Sequence, residues 1–149
     1  MFEGIYRRLA HHSDVVRILC GDFNAPQDET ADGRVITWAE TVAPDGSVVL
    51  LPKYRRSDAG ERSILEGLAP FGMYHVFRGL NGYQVKAFSW VHRTKYGVTQ
   101  RRFDHIFAPH SLNATRCEYL IGLVEAGLSD HAAIEACFQP EVPNRLTPE

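Results

Sequence analysis

Val15 to Asn24, Val-Val-Arg-Ile-Leu-Cys-Gly-Asp-Phe-Asn, constrains this chain more than any other stretch. Its apolar run has strand length, is too short for a buried helix, and stops at Gly21. Little polar alternation predicts a strand covered on both faces, as in a layered α/β protein. Gly21 lets the backbone bend or admits a close neighbour. In an extended chain Asp22 and Asn24 project to one side, and Phe23 points to the other, into packing. A carboxylate and an amide at the end of a buried strand suit a phosphate or metal site. The competing reading is an Asx-turn in which both side chains bond their own backbone.

The 149 residues, 44% of them apolar and 23% charged, are enough for one globular domain with its own core. The net charge of −2 supplies no global basic field, so a nucleic-acid partner must be held by a local patch. Cys20, Cys117 and Cys137 lie far apart among apolar or small residues, without a C-x-x-C. That pattern predicts reduced core thiols in a cytoplasmic protein rather than a disulfide frame or a zinc site. Met1 to His12 lacks the apolar centre of a signal peptide, and no run reaches membrane-spanning length, so no membrane partner is expected.

Phe2, Ile5, Tyr6 and Leu9 recur at helical spacing, predicting an amphipathic helix over Met1 to His12, with a break at Ser13-Asp14. Pro26 ends the first strand, and Gln27 to Gly33 reads as a loop. Val35 to Val42 and Ser47 to Leu51 flank a hairpin turn, Ala43-Pro44-Asp45-Gly46. Lys53, Tyr54, Arg55 and Arg56 form a basic-aromatic cluster that reads first as a solvated loop. A helix begins near Ser57, shows Ile64, Leu65 and Leu68 on one face, and ends near Pro70 and Gly72. Met73 to Phe77 reads as a packed turn or short helix, and Gly79 to Gly82 as a turn. His75 reads as a packed or exposed histidine rather than a ligand, since no partner lies at metal spacing. Tyr83 to Val91 reads as a second strand, followed by an exposed basic loop, His92 to Arg102. Phe103 to Ala108, Arg116 to Leu120 and Ala132 to Phe138 complete the strands. Residues 1–139 then form one domain, and residues 140–149, rich in proline, a disordered tail.

Three polar sites accompany the strands: Asp22 with Asn24, Asp104 inside an apolar strand, and Asp130 with His131. A carboxylate in an apolar strand needs a partner. If a parallel-type sheet brings these strand ends to one edge, they assemble carboxylates, an imidazole and an amide. Such a set suits a hard cation and a phosphate ester. A histidine held by an aspartate serves as general base or as a cationic phosphate contact. Ser129 lacks a G-x-S-x-G frame, so water is the expected nucleophile.

Gly21-Asp22-Phe23-Asn24, Phe88-Ser89-Trp90, Arg102-Phe103-Asp104-His105-Ile106 and Ser129-Asp130-His131 stand in this order over about 110 residues. In that order they resemble the motifs of the endonuclease/exonuclease/phosphatase superfamily, which includes exonuclease III, abasic-site endonucleases, DNase I and inositol-polyphosphate phosphatases. The resemblance covers nearly the whole chain apart from its tail. It implies that Asp22 positions or deprotonates the attacking water and that Asn24 orients Asp22 and the phosphate. Asp104 would fix the tautomer of His131, which contacts the phosphate or acts as base. Asp130 and Asp22 would serve a Mg²⁺ or Mn²⁺ ion. Asn24, Trp90, Arg93, Lys95 and Arg101 would face the substrate.

The resemblance further implies a four-layer DNase I-like α/β sandwich, of which this chain matches the C-terminal half: a mixed sheet with helices on one face. The family's strand bearing an Asn, and the following strand ending in a metal-binding Glu, have no counterpart before Asp22. The chain is therefore expected to pair with a missing N-terminal half or a second copy that covers its sheet. The implied activity is a Mg²⁺-dependent phosphodiesterase of nuclease type acting on DNA, incomplete in isolation. The alternatives are a catalytically inactive interaction module and a phosphatase for phosphoinositides or small phosphate esters.

Overall fold

The computed structural model describes residues 1–11 and 15–139. The expected break at Ser13-Asp14 and the expected tail lie outside the described residues. Helix α1, Phe2–Leu9, is followed by strand β1, Leu19–Asp22. Two short antiparallel pairs come next: β2, Asp28–Glu29, with β3, Val35–Ile36, and β4, Glu40–Val42, with β5, Val48–Leu50. Helix α2, Arg55–Leu65, leads to β6, Met73–His75, and helix α3, Val76–Asn81. Strands β7, Trp90–Thr94, and β8, Gly97–Arg101, form a hairpin. They precede β9, Asp104–Pro109, and β10, Ala114–Leu120. Helix α4, Gly122–Glu125, and β11, Ala133–Phe138, complete the described chain.

Helices and strands mix, as expected of an α/β chain, but every strand pairing among the described residues is antiparallel. The expected mixed sheet with parallel-type strands is therefore corrected. The largest sheet has three strands in the order β1-β9-β6, and β10 pairs with β11. Short turns join β4 to β5 and β7 to β8, whereas β1 and β6 reach β9 only through long connections.

Strand β9 organises the core. Phe107 points into a cluster with Leu9, Phe23, Ile64, Leu68 and Met73, which α1 and α2 cover. Ile106 and Ala108 point the opposite way, into a cluster with Val76, Phe77, Ala114 and Cys117 under α3 and β10. The twofold alternation of a strand puts these neighbours on opposite faces, and both faces are covered. Burial on both faces was expected of the Val15–Asn24 stretch and belongs instead to β9. Only Leu19–Asp22 of that stretch forms a strand, and it is an edge strand. Val15, Val16 and Ile18 are exposed, and so is Cys20, against its expected place in the core.

Five other expectations change. Tyr83 to Ser89 forms no strand, and the loop expected over His92 to Arg102 is the β7–β8 hairpin. Met73 to His75 is a strand because it can pair with β9, and Gly79 to Asn81, expected in a turn, continues α3. The loop after Pro26 contains β2. The turn at 43–46 forms as expected, with Gly46 at φ 82° and the Ser47 backbone N–H donating to Asp45 Oδ1 at 2.9 Å.

Candidate functional site

Asp22 and Asp104 face each other directly in the β1–β9 register. Antiparallel partners lie about 5 Å apart at Cα, so a shared site at this position needs no further motion of either strand. The ladder runs one step further, with the Phe23 N–H donating to the Phe103 carbonyl at 2.8 Å. The chain then turns at Asn24, whose φ of 51° is the left-handed conformation that asparagine tolerates. The Asn24 backbone N–H donates to Asp22 Oδ1 at 2.8 Å, and Asn24 Nδ2 to Asp22 Oδ2 at 3.2 Å. The Asx-turn and the functional reading thus coincide: the turn itself holds the Asp22 carboxylate while leaving it exposed. Trp38 Nε1 fixes the far side by donating to the Asn24 carbonyl at 2.6 Å.

Asp104 is positioned from behind by Ser89, which is fully buried. The Ser89 hydroxyl oxygen accepts from the N–H groups of Phe103 and Asp104 at 2.8 and 2.9 Å. The Ser89 carbonyl accepts from the Ala132 N–H at 2.7 Å, and the Val91 N–H donates to the Asp130 carbonyl at 3.0 Å. The segment Phe88-Ser89-Trp90 therefore ties the Asp130-His131 turn to the start of β9. His131 Nδ1 lies 2.9 Å from Asp104 Oδ2. A carboxylate only accepts, so Nδ1 carries the proton, and Nε2 of a neutral ring offers its lone pair to the site.

Asp22, Asp104 and His131 each offer an atom within 4.8 Å of the others'. This is the convergence that the sequence predicts. Asn24 joins it through Asp22. Asp130 stands apart from this trio: its Oδ2 accepts from Trp90 Nε1 at 3.2 Å. The Trp90 ring packs 5.3 Å from that of Phe103 and stacks on His92 at 5.6 Å, building an aromatic wall. Arg93 and Lys95 are exposed on the β7–β8 hairpin, with Lys95 Nζ 4.8 Å over the Tyr96 ring. Arg101 lines a separate cavity.

A second, buried polar cluster lies behind the trio and was not expected from the sequence. Glu29 accepts from Arg78 Nη2 at 2.8 Å and from Arg102 Nε at 2.9 Å, and Arg102 Nη2 bonds its second oxygen. The Arg78 backbone N–H donates to His75 Nδ1 at 3.2 Å. His105 Nε2 donates to the Ala25 carbonyl at 2.7 Å, so His105 Nδ1 accepts, and Arg102 Nη1 lies 2.9 Å from it and 2.7 Å from His75 Nε2. Burial pushes His105 down to about 3, helped by the Arg102 charge. Burial, then Arg102 and the second imidazole, hold His75 well below the usual histidine range. Burial raises the Glu29 carboxyl, but Arg102 and Arg78 outweigh it and hold the group below its ordinary value. Arg102 directly precedes an apolar strand, which was the available signal; a charge there must be paired inside.

No family model, no curated protein and no solved structure matches this chain.

Proposed function

We propose that the chain is a Mg²⁺-dependent phosphodiesterase of nuclease type that acts on DNA, with Mn²⁺ as the alternative ion. In this reading it forms the C-terminal half of a DNase I-like sandwich, completed by an N-terminal half or a second copy. One observation carries the reading: Asp22 and Asp104 lie opposite each other with His131 bonded to the second, and the three offer ligand atoms within 4.8 Å.

The donor set fits a hard cation. Two carboxylates, one of them exposed, match an ion that takes one or two carboxylates and keeps several waters. Asp22 and Asp104 would hold it, and when bound it supplies charge neutralisation on the phosphate. The remaining chemistry belongs to the side chains. Asp104 accepts from His131 Nδ1 and so aims Nε2, which takes a proton from water or, once protonated, donates to a phosphate oxygen. Asp22, locked by Asn24, accepts a hydrogen bond from the attacking water. Trp90, backed by the buried Phe103 ring, gives a nucleoside ring an aromatic surface.

The test is cleavage of plasmid and abasic-site DNA in Mg²⁺. Asp22→Asn and His131→Ala should each lower the rate by about 10²-fold or more with circular dichroism unchanged. Cleavage equal in both variants and the parent would defeat the reading. A phosphatase reading is favoured by one observation, the net charge of −2, which supplies no global basic field for extended DNA contact. Release of phosphate from a soluble inositol phosphate, without DNA cleavage, would select it.

A further inference from the structure

Between the loop at residues 26–29, the segment 83–88 and residues 100–102 lies a cavity of about 410 Å³. Its lining includes Asp28, Glu29, Arg78, Lys86, Arg101 and Arg102. Four cations thus face two carboxylates, in a chain whose overall charge is −2. Arg78 and Arg102 are buried and share the one carboxylate of Glu29. One carboxylate cannot neutralise two buried guanidinium groups, and buried charge without compensation is costly. Asp28 is exposed and accepts from the Glu29 backbone N–H at 2.8 Å. Neither Lys86 nor Arg101 forms an ion pair among the described residues. Arg101 Nε is buried with no hydrogen-bond partner. A buried donor on a cation, left without an acceptor, is expensive unless something else supplies the acceptor.

We propose that this cavity is an anion site that takes a phosphate group, with Arg101 and Lys86 as its principal donors. The size suits a small ligand, as pockets of roughly 300–1,000 Å³ commonly do. A phosphate supplies both the missing negative charge and several acceptor oxygens, and a guanidinium binds it through paired N–H donors. The site does not depend on the trio. Where the hydrolytic reading also holds, the cavity receives a further phosphate of the same substrate, because its lining residues Phe88 and Arg102 stand next to Ser89 and Phe103, which hold the start of β9 at that centre. A free phosphate ion and the terminal phosphate of a nucleotide present the same oxygens, and the experiment separates them.

The full chain is titrated by calorimetry in EDTA, so that no divalent cation contributes. The probes are inorganic phosphate, a 5′-phosphorylated dinucleotide and the same dinucleotide without its terminal phosphate. Saturable binding of a phosphate-bearing probe is expected. Arg101→Met and Lys86→Met should each weaken it about 10-fold or more, the loss expected for a charge-assisted bond. Asp22→Asn should leave it unchanged. Both cationic side chains reach the surface, and matching melting curves establish that each variant folds. Stronger binding of the phosphorylated dinucleotide than of free phosphate assigns the site to substrate, and the reverse order assigns it to the free ion. Absence of saturable binding by either phosphate-bearing probe, or equal binding by Arg101→Met and the parent, overturns the site. Loss of DNA cleavage in Asp22→Asn is read separately, so either conclusion can fail while the other stands.

Discussion

At the scale of single residues, His105 makes the sharpest demand on its surroundings. It is completely buried, and its Nε2 proton is committed to the Ala25 carbonyl, one residue beyond the Asx-turn that holds Asp22. In the folded chain it gains a proton only near pH 3, whereas an unfolded histidine does so near 6.5. Between those values the unfolded state binds more protons, so stability falls as the pH is lowered through this window. For this one group the loss between pH 7 and pH 4 is roughly 3 kcal/mol. His75 and Glu29, both held below their ordinary values, act in the same direction, Glu29 only toward the acid end. Urea melts at pH 7, 5.5 and 4 should show this decline. His105→Gln, which keeps an N–H donor and removes the titration, should be less stable at pH 7 and show a shallower acid slope. An unchanged slope would mean that His105 is not the group that titrates.

At the scale of elements, much depends on one short segment. Phe88-Ser89-Trp90 has almost no strand of its own, yet it links the start of β9 to the Asp130-His131 turn through Ser89. Ser89→Ala leaves the N–H groups of Phe103 and Asp104 buried without an acceptor. Each orphaned donor costs roughly 1–3 kcal/mol. Urea unfolding should register that loss, and DNA cleavage measured well below the midpoint should fall as well, because Asp104 loses its support. Stability equal to the parent would show that water or a shift of the backbone replaces the hydroxyl. The sequence made this segment and its partners legible as polar punctuation in apolar runs: Asp22 after Gly21, Asp104 in β9, His131 before β11. Periodicity also located α1 and α2, and turn residues located the 43–46 hairpin. It could not reveal which strand is central. Val15–Asn24 and β9 are both apolar, and only long-range pairing decides that β9 is covered on both faces while β1 remains at the edge. The Glu29–Arg102 cluster was hidden for a related reason: its members are scattered singly from 29 to 105, and an isolated arginine looks the same whether solvated or buried.

At the scale of the whole molecule, the trio exists only when the fold does. Asp22 and Asp104 meet through β1–β9 pairing, and His131 arrives through its bridge to Trp90. In the unfolded chain these side chains are dispersed and make no chelating set. A cation held by the trio therefore binds the folded state alone and shifts the unfolding equilibrium by mass action. At 100 times the dissociation constant this linkage is worth about 2.7 kcal/mol. For a chain of this length that corresponds to a rise in melting temperature of about 5–10 °C. Mn²⁺ is the probe, added to chain stripped with EDTA, and the melting temperature should climb with its concentration. Asp22→Asn and Asp104→Asn should each flatten that dependence, whereas Arg93→Ala, on the exposed hairpin, should not. A climb that persists undiminished in both aspartate variants would locate the cation elsewhere and remove the hydrolytic reading's central support, whatever the DNA assays show.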